Sequence, residues 1–498
     1  MAQNRFSNDS ILRKIYTHQY HFESRELIPY LTHKNPIYRK AASIAFASNQ
    51  DSSVAPLLMK KLKSDKNKEV KKAALYSLSQ LNKPWITNEL ILFYFSRKSK
   101  AIRPDLLEAI AKNSMKKHVS FFENISISTK DSSFFKSYIR AMYFVKRKKL
   151  LTDVLLNKVN DIAHNSHSEE VLNMCYIVNP KLNPSYKHIK VAKSHKKTNF
   201  KEVEDELLNT NNPYTKLSIL IENDSLIPNT YLWVELNFNQ ESPILENHYL
   251  ETYYKRNLWI PSHFYIKQLN SKNISFISLT CEKIRKDSIW KDSTTKYIPF
   301  LNQVIQQLTL PRDFETYVDL KKTINQLENK PYIYQNYFQS GYDFPIDWNY
   351  INKISYKQKV KLTTNKGVII MECKVNDAPA STCNFLKLVD SGYYNNKYFH
   401  RMVPNFVVQG GCPRGDGWGS LNWIQKSEFT NELYYKPGSV GLASAGKDSE
   451  GVQFFITHTY TSNLDGRYTI FAEVVEGMEI VNMLEIGDLI LSIEKITE

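Results

Sequence analysis

Residues Phe399–Gly411 read FHRMVPNFVVQGG, Gly451–Ile456 read GVQFFI, and Leu464-Asp465-Gly466 follows. Short apolar and aromatic runs broken by Gly are the pattern of strands joined by tight turns. In QFFI the strand period of two sends Phe454 and Phe455 to opposite faces, so at most one of them meets a ligand. Gly also divides the chain: of 15 in 498 residues, all but Gly341 lie at or after Gly367. Gly disfavours a helix interior by about 1 kcal/mol relative to Ala, whereas hairpins and bulges need its positive φ. The Gly-free 340 residues before Gly341 therefore predict continuous helix packing, and the remainder predicts β-structure. Val360–Thr364 and Val368–Glu372 flank Asn365-Lys366-Gly367 as a hairpin, and Ala380–Asp390 reads as a helix ending before Ser391-Gly392. Gly410, Gly411, Gly415, Gly417 and Gly419 lack the Lys-Ser/Thr of a phosphate loop, so turn chemistry accounts for them.

The side chains in these stretches are a poor nucleophile set but a good cup for a proline ring. An X-Pro bond has cis and trans forms within about 0.5–1 kcal/mol, separated by a barrier of about 18–20 kcal/mol. At the top of that barrier amide resonance is lost and the prolyl nitrogen gains a free lone pair. A fixed donor near it is then worth more than in the ground state. Arg401 suits that role, since a guanidinium is always protonated and presents a planar fork of donors. Phe406, Val407, Phe455 and Leu464 supply the apolar cup, and Gln409 can hydrogen-bond a substrate backbone from the rim. Taken alone, each Phe is more often core than ligand, and an isolated FHR reads as a solvated pair; the joint occurrence of VVQGG, ASAG and QFFI reverses both readings.

At this spacing the segments resemble the cyclophilin family of peptidyl-prolyl cis/trans isomerases, from about Lys357 to the C-terminus. The resemblance implies a closed eight-stranded β-barrel with flanking helices and no cofactor. It makes Arg401 the principal catalytic residue with Gln409 beside it, and Phe406, Val407 and Phe455 pocket residues. Ala443 and Ser444 become the strand that receives the substrate backbone, Leu464 closes the pocket, and Tyr468 stands where a histidine is frequent. Val407 replaces a common methionine, Val452 the usual serine, and Asn463 an aromatic or histidine that supports the rim and cyclosporin affinity in the family. Weak drug binding with catalysis retained is the expectation.

The first part of the chain repeats. Tyr38-Arg39-Lys40-Ala41-Ala42 is echoed by Val70-Lys71-Lys72-Ala73-Ala74, and Ile102-Arg103 stands at the next step of 32 residues. Ala45, Ser77, Ala109 and Ala141 share that period, each followed by an apolar residue, and apolar runs such as Leu57–Leu62 precede the units. Small residues at a fixed place let helix pairs approach and stack into a solenoid. The pattern resembles short bacterial HEAT-like repeats. It blurs after about Lys190, although Ile274–Lys286, Tyr297–Leu308 and Asp313–Leu327 keep helical spacing, and the aromatic stretch 331–345 reads as an extended connector. The expected fold is multidomain: HEAT-like helical repeats over 1–190, irregular helical continuation and connector over 191–345, and the isomerase-like barrel over 346–498.

Net charge is +16, with basic runs at Lys60–Lys72, Lys146–Lys149 and Lys193–Lys197. No nucleic-acid motif accompanies them, so they read as solvated helix faces and no nucleic-acid partner is expected. Cys175, Cys281, Cys373, Cys383 and Cys412 form no CxxC, and His164 and His167 lack further ligands, so free thiols and no metal site are expected. No apolar run reaches the length of a membrane span. The whole arrangement resembles HEAT-repeat cyclophilin-like proteins of Bacteroidota, which implies the cell envelope, periplasmic or outer-membrane-associated. Any membrane contact would come through a lipid anchor on a leader absent from this chain; the alternative address is the cytoplasm. The expected function is prolyl isomerisation assisting folding or export, with proline-containing polypeptides as substrates and the solenoid binding clients or a protein partner. The rival reading is an envelope scaffold or subunit of an export assembly, in which the barrel mainly docks.

Overall fold

The computed structural model of the chain describes residues 5–81, 83–127, 132–183, 196–238, 242–257, 260–287, 294–332, 345–430 and 435–496. The boundary expected near residue 190, most of the connector expected over 331–345, and part of the basic run 193–197 lie outside those residues.

The 32-residue period is a helix period. Ala45, Ser77, Ala109 and Ala141 fall on the helices Pro36–Asn49, Lys68–Gln80, Arg103–Lys112 and Ser132–Arg147, and all four are buried where successive helices pack together. With no bulk beyond Cβ or a hydroxyl, the backbones come close enough for Ser77 Oγ to donate to the Ser43 carbonyl at 2.6 Å. Asn35 and Asn67 recur at the same step as N-caps, accepting from the amides of Ile37 and Glu69 at 2.9 Å each. Farther along, the helix Ile274–Lys286 has the bounds its spacing predicts, and helices Thr294–Gln306 and Phe314–Leu327 lie within a few residues of theirs. Pro213–Glu222 and Pro243–Arg256 precede them in the same all-helical part.

Several lysines, four of them from the first two basic runs, bond within the array itself. Lys63 pairs with Glu89 at 2.6 Å and Lys72 with Asp105 at 3.2 Å. Lys146, Lys148 and Lys158 donate to the carbonyls of Ile177, Ser114 and Ile125 at 2.7, 2.9 and 2.6 Å, satisfying acceptors at or just beyond helix ends. Part of the excess positive charge thus follows from stacking short helices whose last carbonyls need donors. The five thiols are free and buried, and burial pushes Cys175, Cys281 and Cys373 up to about 12, which keeps them protonated and unreactive.

The C-terminal part is a closed barrel of eight antiparallel strands: β1 Lys359–Thr364, β2 Gly367–Cys373, β3 Lys397–Val403, β4 Val407–Gly410, β5 Ser439–Ser444, β6 Glu450–Thr457, β7 Ile470–Glu476 and β8 Leu489–Lys495. Around the barrel they run β1-β2-β7-β5-β6-β4-β3-β8. Leu362, Phe399, Val408, Phe454, Ile456 and Phe471 fill the lumen and are wholly buried. Eight strands leave room for side chains and little else, so a polypeptide substrate must bind on the outside of the barrel. The expected helix is Pro379–Asp390, whose first turn is held by the Glu428 carboxylate; this accepts from the Ala380 and Ser381 amides at 3.1 and 2.8 Å.

The helical part touches the barrel on two fronts. From the early repeats, Arg140 reaches Asp465 at 3.3 Å, Tyr143 donates to Asn463 Oδ1 at 2.6 Å, and Ser48 Oγ accepts from the Phe429 amide at 3.0 Å. From the later helices, Tyr214 donates to the Gly415 carbonyl at 2.9 Å and its ring lies 4.5 Å from that of Tyr398. A Cβ on Gly487 would stand 2.3 Å from Tyr214 Cβ, so only Gly lets this helix approach so closely.

Candidate active site

The hairpin β3–β4 builds the site. Its turn runs through Pro404-Asn405-Phe406, with Asn405 at φ +59°, a conformation Asn tolerates better than most residues, and the Phe406 amide donates to the Val403 carbonyl at 3.0 Å. Arg401 is thereby set opposite Gln409, Gln409 opposite Phe455 on β6, and Phe455 opposite Gly441 on β5. Cross-strand partners share a face, so Arg401, Gln409 and Phe455 form one row on the outer surface while Phe454 points into the core. Gly441 ends the row because no side chain fits there: its Cβ would come within 2.3 Å of Tyr435 Oη and 2.5 Å of Phe455 Cζ.

Beside the row is an apolar cup. Val407, Tyr435, Phe455, Leu464 and Ile470 form a separate buried cluster, with Phe406, Ala443 and Tyr468 packed on it. Phe455 stacks on Tyr435 with centroids 5.7 Å apart and meets Tyr468 edge-on at 5.8 Å, which fixes its ring. Leu464 comes from the 3₁₀ turn Ser462–Leu464. At the bulge between Leu442 and Ser444 the β5–β6 ladder skips Ala443, which has no cross-strand partner there, and the buried Ser444 hydroxyl has no hydrogen bond among the described residues.

The polar groups are arranged unequally. Gln409 Nε2 donates to Gln453 Oε1 at 2.9 Å, and Gln453 Nε2 donates to the carbonyls of Gly417 and Gly419 at 3.0 and 3.2 Å. Gln453 therefore fixes the amide of Gln409, whose oxygen has no hydrogen bond among the described residues. Arg401 makes no hydrogen bond or ion pair among the described residues; it is solvent-accessible where it borders the cleft. Crowding by protein lowers its pKa, opposed by Tyr468, and it remains a cation. His400, its neighbour on the strand, is buried, and that burial pulls its pKa down to about 4, so it is neutral at physiological pH.

Arg401, Phe406, Val407, Gln409, Ala443, Ser444, Phe455, Leu464 and Tyr468 all line one cavity of about 630 Å³. Gln453 and His400 line it as well; the Gln of QFFI was the available signal for the first, and nothing in the pattern singled out the second. The opposite wall is helical, formed by Leu217, Ile221, Ile244, Glu251 and Glu315 among others, and no motif pointed to them. Asn463, which stands where the resemblance puts an aromatic or histidine, has its side chain engaged by Tyr143, so an aromatic residue from a helix adjoins that position.

An eight-stranded barrel carrying an arginine and an amide beside an outer proline-sized cup defines a rotamase site. The sequence profile of the family described as cyclophilin type peptidyl-prolyl cis-trans isomerase/CLD matches residues 359–495. A peptidyl-prolyl cis-trans isomerase of Helicobacter pylori is 39% identical over 135 residues, covering 26% of this chain and 83% of the relative. One from Synechococcus elongatus is 39% identical over 139 residues, with 28% and 95% covered, and isomerase B of Bacillus subtilis is 41% identical over 112 residues, with 22% and 78% covered. A crystal structure of a Cryptosporidium parvum cyclophilin is similar at 33% identity and a TM-score of 0.28, spanning 28% of this chain and 98% of that one. The same protein was solved in the presence of the dipeptide Ala-Pro, with 32% identity and a TM-score of 0.27. The chain belongs to the cyclophilin-type peptidyl-prolyl cis-trans isomerases, and its barrel carries that activity.

Proposed function

We propose that this isomerase assists the folding or export of client polypeptides in the cell envelope, and that the helical array takes part in holding the client through its later helices, those that continue the HEAT-like repeats. The observation that carries this reading is that Arg401 and the proline cup share one cavity with residues of the helices, which add a second wall to the site. An isomerase acting on short peptides alone needs no second wall. A chain passing between two walls is held on both sides of the bond that turns, which restricts it to geometries near the reacting one.

In this reading the prolyl ring rests on Phe406, Val407, Phe455 and Leu464, with Tyr468 bracing Phe455. Ala443, at the bulge, offers its main chain to the substrate backbone beside Ser444, and the oxygen of Gln409 accepts a substrate N–H. With the ring held, the preceding carbonyl swings. The guanidinium of Arg401 follows it with one donor and presents another to the prolyl nitrogen as that atom becomes pyramidal. No bond is made and no proton is transferred, so the acceleration comes from a charge held ready for the twisted amide. Proline-limited refolding of a denatured protein tests the folding role. The full chain should accelerate it and Arg401→Ala should not. Turnover of a short X-Pro peptide without acceleration of refolding would defeat the folding role while leaving the isomerase intact.

A further inference from the structure

We infer that the helical wall is an acidic and apolar subsite which selects extended proline-containing chains bearing a cationic side chain close to the proline. This rests on the isomerase reading of the same cleft. It adds what the helices recognise.

The lining charges separate into two groups. Asp416 is neutralised by Arg414 at 2.9 Å and receives Asn247 Nδ2 at 3.1 Å, and Arg312 is held by Asp313 at 2.8 Å. Glu251 and Glu315 carry no hydrogen bond or ion pair among the described residues, yet both line the cavity that contains Arg401. Two carboxylates without an ion pair on one wall, with Lys322 acting on Glu315 only from a distance, give that wall a negative character in a chain whose net charge is +16.

Three further observations point to a polypeptide. Leu217, Ile221 and Leu279 line the same wall, and Ile221 is 48% exposed, a large aliphatic side chain open to the cleft. His248, on that wall, has a buried Nε2 with no hydrogen-bond partner among the described residues. Burial pulls its pKa to about 4, so it is a neutral imidazole able to meet a main-chain group of a bound chain. The cavity, about 630 Å³, is of the size that takes several residues and not only a proline. A slot walled on both sides admits an extended segment and excludes a folded surface. Aliphatic and carboxylate groups lining the same slot suit a chain with apolar and basic side chains around its proline.

The test uses the full chain and X-Pro peptides that differ only in the residues flanking the X-Pro pair: alanine, lysine or glutamate. At low ionic strength, where screening is weak, the wild type should show kcat/KM about five- to tenfold higher for the lysine peptides than for the glutamate peptides. In the double variant Glu251→Gln, Glu315→Gln that ratio should fall to near one. Because the ratio is taken within each protein, any general loss of activity cancels, and glutamine preserves the shape of the wall. A wild-type ratio near one, or a ratio unchanged in the double variant, overturns the subsite. Failure of the wild type to turn over even the alanine peptide overturns the isomerase reading itself, and the two failures are thereby told apart.

Discussion

Replacing Arg401 by alanine separates catalysis from stability more cleanly than any other change in the cleft. Its guanidinium has no protein partner among the described residues and stands in solvent at the cleft, so its removal strands no buried charge or hydrogen bond. A substitution of that kind changes stability by no more than about 0.5 kcal/mol. Among the described residues the same side chain is the only lining cation of the barrel wall beside the proline cup, and deleting one donor aimed at a transition state costs about 2.7–4 kcal/mol, a factor of about 10² to 10³ in rate. Arg401→Lys keeps the charge but loses the planar fork that serves carbonyl and nitrogen together, so it should recover only part of the rate. The contrast is Phe455, 4% exposed and packed between Tyr435 and Tyr468, where truncation to alanine should cost about 3–5 kcal/mol of stability. The assay is cis-to-trans exchange of a short X-Pro peptide at low temperature, with denaturant midpoints measured on the same preparations. Equal rates for wild type and Arg401→Ala, or a rate loss matched by unfolding, would refute the role given to the guanidinium.

Three other outcomes are expected. Arg140→Met should lower global stability by about 3 kcal/mol in urea titration, because Asp465, 3% exposed, loses its cation at 3.3 Å while Glu108 keeps Lys112 at 3.1 Å; an unchanged midpoint would show that this contact between helices and barrel is idle. Cyclosporin should inhibit weakly, since Asn463 leaves the rim without its own aromatic ring and Tyr143 is fastened to it; tight inhibition in a titration would show a differently built rim. On an alanine-flanked peptide kcat/KM should be flat from about pH 6 to 8, because Arg401 stays charged and His248 and His400, both near 4, stay neutral. On a lysine-flanked peptide it should rise across that range. Glu315 is accessible but crowded in the cleft, and desolvation, with Asp319 and Asp416 adding to it against Lys322, pushes its carboxyl up to about 7, so rising pH adds negative charge beside Glu251 and the paired Arg312. A falling or flat profile for that peptide would contradict the sign.

The barrel and its proline cup were legible because their determinants are local. Arg401 and Gln409 face each other across a hairpin only eight positions apart, and once Phe454 and Phe455 alternate, one of them must join that row. The Gly-free stretch and the 32-residue recurrence of small residues reported helix pairs for the same reason: each helix buries its small residue against its neighbour in sequence. Gln453 was in view as part of QFFI, but its hold on Gln409 depends on a loop whose carbonyls come from Gly417 and Gly419.

What the residues could not disclose alone is where the array of helices brings its later members. The helix that begins at Pro213 meets a barrel turn 201 positions later through Tyr214 and Gly415, a contact that only the packing of the whole chain brings about. Tyr143 and Asn463 are 320 positions apart, and nothing in either segment indicates the other. The chemistry of proline rotation was thus set by nearest neighbours on strands, whereas the helical lining of the cleft, which puts Glu251 and Glu315 in one cavity with Arg401, was decided by tertiary packing between segments far apart in the chain.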